Sequence, residues 1–192
     1  MITRLSEIIE YNEIFVENKY FEEFMTTRYP DKRMVILSCM DTRLVELLPK
    51  AMNLKNGDAK IIHNAGAILT SPFGNIMRSI IVAVYELQAE EVFVVGHHDC
   101  GMTGINPDRI TEKMVENGID PDVIHTLSHS GINLHRFLRG FDSVREGVET
   151  SVSIIKNHPL MPHSVPVHGL LIDPVTGKLE VVIDGYTAEK AK

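Results

Sequence analysis

Apolar residues run consecutively in three short stretches of the chain, in RMVILSCMDTR, AKIIHNAG and EVFVVGHHDCGM, and each run gives way to polar residues. A continuous, largely β-branched run of this length predicts a strand buried on both faces. Between the first and second, RLVELLPKAM predicts a short helix closed by the turn signal NGD. Between the second and third, Ile76, Ile80, Val84 and Leu87 recur at helical spacing and mark one face of another helix. Strand and helix therefore alternate three times, which predicts parallel strands joined by right-handed crossovers. Ligands of such sheets collect beyond the carboxyl ends of the strands. Cys39 is expected at the end of the first strand and His97 at the end of the third.

Outside this region the pattern changes. Ser6 is placed to cap an N-terminal helix whose apolar positions Ile8, Ile9, Phe15, Val16 and Tyr20 recur loosely, ending before Pro30. Such an arm packs either on the rest of the chain or on another subunit. Residues 107–157 carry no strong strand signal, and PDVIHTLSHSGINLHRFL and SVREGVETSVSIIKNH predict a helical flank. In VPVHGLLIDPVTGKLEVVIDG, two β-rich runs joined by DPVTGK predict a hairpin at the sheet edge. The expected fold is α/β: a mainly parallel central β-sheet flanked by helices, with a C-terminal strand pair at the edge and an N-terminal helical arm, in a single domain over residues 1–192.

Composition narrows the partners. A hydrophobic content of 44% over 192 residues is enough for a sizeable core. Nineteen Lys and Arg stand against 26 Asp and Glu, a net charge of -7 that disfavours nucleic acid and anionic membranes. No apolar stretch approaches the roughly 20 residues of a membrane span. MITRLSEIIEYNE has acids where a secretory signal would be apolar, so a cytoplasmic location is expected.

The chain has only two cysteines, Cys39 and Cys100. Two thiols do not make a disulfide framework, and in a reducing compartment a pair set among polar neighbours points to a metal or to catalysis. His97 and Cys100 have an H-x2-C spacing that can close on one ion from a single turn, and Cys39 would supply a third ligand. Spacing by itself leaves the plain alternative open, since a buried cysteine is most often a small hydrophobe and a loop histidine is most often solvated. In CMDTR, Asp41 and Arg43 lie close enough for the guanidinium to hold the carboxylate, or else form an ordinary surface ion pair.

CMDTR at 39–43, NAGAI at 64–68 and HHDCG at 97–101 resemble, in order and separation, the three signature segments of the β-class carbonic anhydrases. The likeness spans about residues 30–105. It implies a zinc enzyme interconverting carbon dioxide and bicarbonate, on an α/β fold that assembles as a homodimer or homotetramer. It further implies Cys39, His97 and Cys100 as zinc ligands and Asp41 and Arg43 as the dyad beside them. The backbone N–H of Gly101, free of a side chain, is read as a donor to bound bicarbonate. Zinc held by three neutral histidines brings bound water to a pKa of about 7. Two thiolates cancel the charge of the ion, so activity is expected to rise toward alkaline pH.

Two alternatives stay open beside this reading. One is a zinc hydrolase of carbon disulfide or carbonyl sulfide. The other is a non-catalytic protein that binds zinc or senses bicarbonate. The chain departs from the family pattern at His63, where Arg commonly precedes NAG, and at Thr42, where Ser is commoner. His98 is not needed as a ligand, because adjacent residues of an extended tip point apart. It is read as solvated or as a proton shuttle, and Asp99 as bonding its own turn. His125 and His129, four apart on an expected helix, lack the pattern of a second metal site, and His158, His163 and His168 are read as packing residues.

Overall fold

In the computed structural model, which describes residues 3–187, the three apolar runs form neighbouring strands: β1 (Met34–Cys39), β2 (Ala59–Asn64) and β3 (Glu91–His97). β4 (Val167–Ile172) and β5 (Leu179–Ile183) complete a five-stranded sheet of order β2-β1-β3-β4-β5. The first four strands are parallel, and β5 closes one edge antiparallel to β4. The expected α/β architecture and its terminal hairpin are thus observed. The core lies where strands are covered on both faces: Val35, Ile36 and Leu37 of β1, Val92, Val94 and Val95 of β3, and every residue of β4 are buried.

The second run departs from expectation. β2 is not buried on both faces but is the other edge of the sheet, with Ile61 and His63 exposed. An apolar run reports strand character, not rank in the sheet, and rank is set by which neighbour each strand finds.

Seven α-helices accompany the sheet among the described residues: α1 (Arg4–Glu17), α2 (Leu44–Ala51), α3 (Asn75–Tyr85), α4 (Pro107–Glu116), α5 (Pro121–His129), α6 (Leu134–Leu138) and α7 (Val144–Lys156). α1 is capped by Thr3 instead of Ser6, which serves as the reciprocal partner three residues on. None of its residues is buried, and Leu5, Ile8, Ile9, Ile14 and Val16 stay exposed. The buried face of α3 centres on Met77, Ile80 and Ala83. The helix expected across PDVIHTLSHSGINLHRFL is two, α5 and α6, interrupted at Gly131 with φ 89°. α4 was hidden by its polar composition, although Asn106 capping with Pro107 at the first turn is a start signal. No helix among the described residues is long and apolar enough to cross a membrane.

α7 packs across β3, β4 and β5 and buries Val148, Val152 and Ile155. Each such side chain contributes about 1.5–3 kcal/mol. The helix comes this close because the strands present Gly96 and Gly169 to it. A Cβ on Gly96 would lie 2.8 Å from methyls of both Val144 and Val148, and one on Gly169 would lie 2.8 Å from Val148. Gly96→Val is therefore expected to lower stability by about 1–3 kcal/mol through overpacking. The check is the urea midpoint: an unchanged midpoint would show that α7 is not seated on the strand.

Candidate metal centre

The chain leaves β1 toward β2 on one side and returns across it to β3 on the other, so the strand order reverses between β1 and β3. The loops after these two strands part there and leave a crevice at their carboxyl ends. Ser38 pairs with Val95, which sets Cys39 at the tip of β1 near His97 at the tip of β3. Cys100 follows in the turn after β3. The donor atoms of Cys39, His97 and Cys100 all lie within 4.8 Å of one another, and all three residues are buried.

Three features fit these donors to a tetrahedral metal. The two sulfurs are 3.9 Å apart, against about 3.8 Å for two thiolates at 2.3 Å on tetrahedral zinc. His97 Nδ1 lies 2.8 Å from the carbonyl oxygen of His98; as the N–H donor there, it leaves Nε2 with a free lone pair. That Nε2 is buried without a hydrogen-bond partner among the described residues. A buried, unpartnered nitrogen facing two sulfurs is costly unless something electrophilic sits between them.

The charges follow from the same geometry. Burial raises the Cys39 thiol, but the His97 side chain and the Gly66 N–H, 3.3 Å from the sulfur, outweigh it and bring it down to about 7. Burial and the neighbouring Cys39 sulfur push Cys100 up to about 11. Interaction with the Cys39 sulfur raises His97, against the effect of burial. One thiolate forms readily, and a second beside it needs a cation.

Asp41 and Arg43 come from the loop between β1 and α2. The Asp41 carboxylate accepts from the Arg43 backbone N–H and Nε at Oδ1, both at 2.9 Å, and from Nη2 at Oδ2, 2.8 Å. The Arg43 guanidinium holds the Asp41 carboxyl down at about 2, so it is ionised throughout the neutral range. Its Oδ2 lies 3.7 Å from His97 Nε2, beside the triad. A cleft of about 670 Å³ opens over these groups, lined also by Met40, Ala65, Asp99, Gly101 and Met102. Gly101 borders open space, since a Cβ there would meet nothing within 4 Å. A larger groove, about 780 Å³ between α4, α5 and α6, lies apart from this chemistry.

The sequence profile of the family described as carbonic anhydrase matches residues 34–179, the stretch that carries every one of these groups. The crystal structure of β-carbonic anhydrase isoform I from Trichomonas vaginalis superimposes with a TM-score of 0.86 at 33% identity, covering 96% of this chain and 100% of that one. The chain belongs to the β-carbonic anhydrase family. Within the family it is similar to the Bacillus subtilis protein YvdA, provisionally named a carbonic anhydrase, with 58% identity over 185 residues, 96% of this chain and 94% of that one. It is also similar, at 27% identity over 158 residues, to the carbon disulfide hydrolase of Acidithiobacillus thiooxidans, covering 78% of this chain and 76% of that one.

The structure brings together the six residues read from sequence as ligands, dyad and bicarbonate donor, with one addition and one correction. Asp99 was read as bonding its own turn; instead its carboxylate accepts from Arg43 Nη1 at 3.0 Å. The contact joins residues 56 apart in sequence, which no local signal announces. The addition is the Gly66 N–H on the Cys39 sulfur, donated from the NAGAI segment. His63 places Nδ1 3.1 Å from the Cys39 carbonyl oxygen. The remaining histidines stand apart: His129 Nδ1 is 2.8 Å from the His125 carbonyl, His158 lies against Phe73 and His168 stacks on Phe93.

A metal taken by the triad must displace the thiol protons. Because Cys100 keeps its proton up to about pH 11 in the metal-free chain, zinc affinity is expected to rise roughly tenfold per pH unit across the neutral range. It should rise more steeply below about 7, where Cys39 is protonated as well. Competition with a chromophoric chelator measures the slope. A pH-independent affinity would exclude the thiols as ligands.

Proposed function

We propose that this protein is a zinc-dependent carbonate dehydratase, which interconverts carbon dioxide and bicarbonate with Cys39, His97 and Cys100 holding the metal. Decisive for this choice is the Asp41 carboxylate: it lies beside the triad, 3.7 Å from His97 Nε2, yet three hydrogen bonds from Arg43 hold it. A purely structural zinc favours a fourth Cys or His, and among the described residues the cluster has three members.

Bound zinc supplies a Lewis acid that acidifies water and stabilises the anionic product. The residues of the chain do the rest. Asp41, ionised and immobilised, accepts a hydrogen bond from the reacting water and aims its lone pair at the carbon of the substrate. Arg43 stays on the carboxylate so that it does not become a ligand itself. Met40, Ala65 and Met102 offer apolar surface to carbon dioxide, and the Gly101 N–H is the donor assigned to bicarbonate. The proton released with bicarbonate leaves through the open cleft to solvent.

The likeness to a carbon disulfide hydrolase supports a second reading, in which the same groups direct water onto carbon disulfide or carbonyl sulfide. The exposed apolar residues of α1 support assembly into a homodimer or homotetramer. A reducing cytoplasm suits a site that requires two free thiols.

Stopped-flow hydration of carbon dioxide by the zinc-loaded chain is the test. Turnover is expected to rise toward alkaline pH, to vanish together with the metal in Cys39→Ser, and to fall about 10- to 100-fold in Arg43→Ala with zinc retained. A rate that stays flat from about pH 6.5 to 9, or full activity in Arg43→Ala, would contradict the mechanism. Faster turnover of carbon disulfide in a parallel assay would move the assignment to the hydrolase reading.

A further inference from the structure

Asp99 stands between two members of the triad, His97 and Cys100, with a left-handed backbone at φ 54°. Its side chain turns away from the triad and toward Arg43. Nη1 of Arg43 donates to Asp99 Oδ2 at 3.0 Å, and Nη2 donates to the Asp99 carbonyl oxygen at 3.1 Å. The Nε and Nη2 edge of the same guanidinium binds Asp41. Four of its five N–H bonds are thereby assigned, two to each aspartate.

The arrangement matters because Asp41 and Arg43 both belong to the loop after β1. Their mutual hydrogen bonds set where each lies relative to the other, but not where the pair lies relative to the metal ligands of β3. Among the described residues, only the bonds to Asp99 tie the guanidinium to the loop that carries His97 and Cys100. The Asp41 carboxylate already lies within 3.7 Å of His97 Nε2, so a small swing would bring it onto the metal position.

We infer that Asp99 is a positioning residue: by anchoring the far edge of Arg43 to the ligand-bearing loop, it keeps Asp41 off the metal and the fourth coordination place open. The inference rests on the reading of Cys39, His97 and Cys100 as a metal site and of Asp41 and Arg43 as its dyad. The competing explanation is conformational, since Asp is one of the few residues apart from glycine that readily takes a left-handed backbone. The two explanations diverge at Asp99→Gly. Glycine suits that backbone better and keeps the carbonyl acceptor, but it removes the carboxylate.

The pair is solvent-accessible, with 39% of the Arg43 side chain and 85% of the Asp99 side chain exposed. It therefore contributes little to stability and is weakened by salt. Its effect belongs in the geometry of the site, where cobalt(II) in place of zinc provides a spectroscopic readout independent of turnover. Azide is the probe for the open coordination place, titrated by the visible absorption of the cobalt-loaded chain.

All variants are expected to bind one cobalt per chain with unchanged melting temperature. Arg43→Ala should weaken azide binding most, as Asp41 takes the vacant place. Asp99→Gly should weaken it roughly two- to fivefold, the range of an exposed charge pair. Asp99→Asn, which keeps an acceptor, should fall between wild type and glycine, and Asp99→Gly added to Arg43→Ala should change nothing further. Wild-type azide affinity in Asp99→Gly, with Arg43→Ala impaired, would overturn the role of Asp99 and leave the dyad standing. Loss of cobalt from Asp99→Gly would equally overturn it, by showing that the residue serves the shape of the ligand loop. Wild-type affinity in Arg43→Ala would instead sink the dyad reading itself.

Discussion

The parallel pairing of β1 with β3 is the constraint on which the rest of the molecule depends. It aligns Ser38 with Val95 and so brings Cys39 and His97 to one end of the sheet, although β2 and two α-helices intervene in the chain. The pairing is held by strands buried on both faces, with Val35, Leu37, Val92 and Val94 entirely out of solvent. The register of this pairing sets the spacing of the donors, because a slip of one residue would move Cys39 about 3.3 Å along the sheet relative to His97.

Electrostatics then divide this end of the sheet into two zones. The buried zone holds two sulfurs and an imidazole nitrogen whose proton-bearing side is committed to the His98 carbonyl. Here burial opposes ionisation, and the second thiol stays protonated unless a cation offsets it. The exposed zone holds the Arg43 guanidinium between Asp41 and Asp99. Asp41 belongs to both, ionised by its arginine yet in reach of the metal position. Family membership does not by itself choose among substrates, since the chain is similar both to a β-carbonic anhydrase and to a carbon disulfide hydrolase.

Most of the fold was legible because its signals are local. Alternating apolar runs and helical spacings declare βαβ units, and the turn signal DPVTGK declares the final hairpin. What escaped was rank and interruption. β2 reads as a core strand but lies at the edge, α4 is too polar to announce itself, and Gly131 breaks what looks like one helix. The close seating of α7 on Gly96 and Gly169 was equally hidden, since a glycine in a strand pattern does not say what approaches it.

At the site, residue type and spacing alone identified Cys39, His97 and Cys100 as candidates, because few side chains ligate a metal and this chain has only two thiols. The pairing of Asp41 with Arg43 was equally accessible, the two being neighbours in one loop. Whether the three donors converge, which nitrogen of His97 is free, and what holds Arg43 from its other side were decided by tertiary structure alone. Each depends on contacts between loops that follow different strands, and such contacts exist only once the sheet has brought those strands side by side.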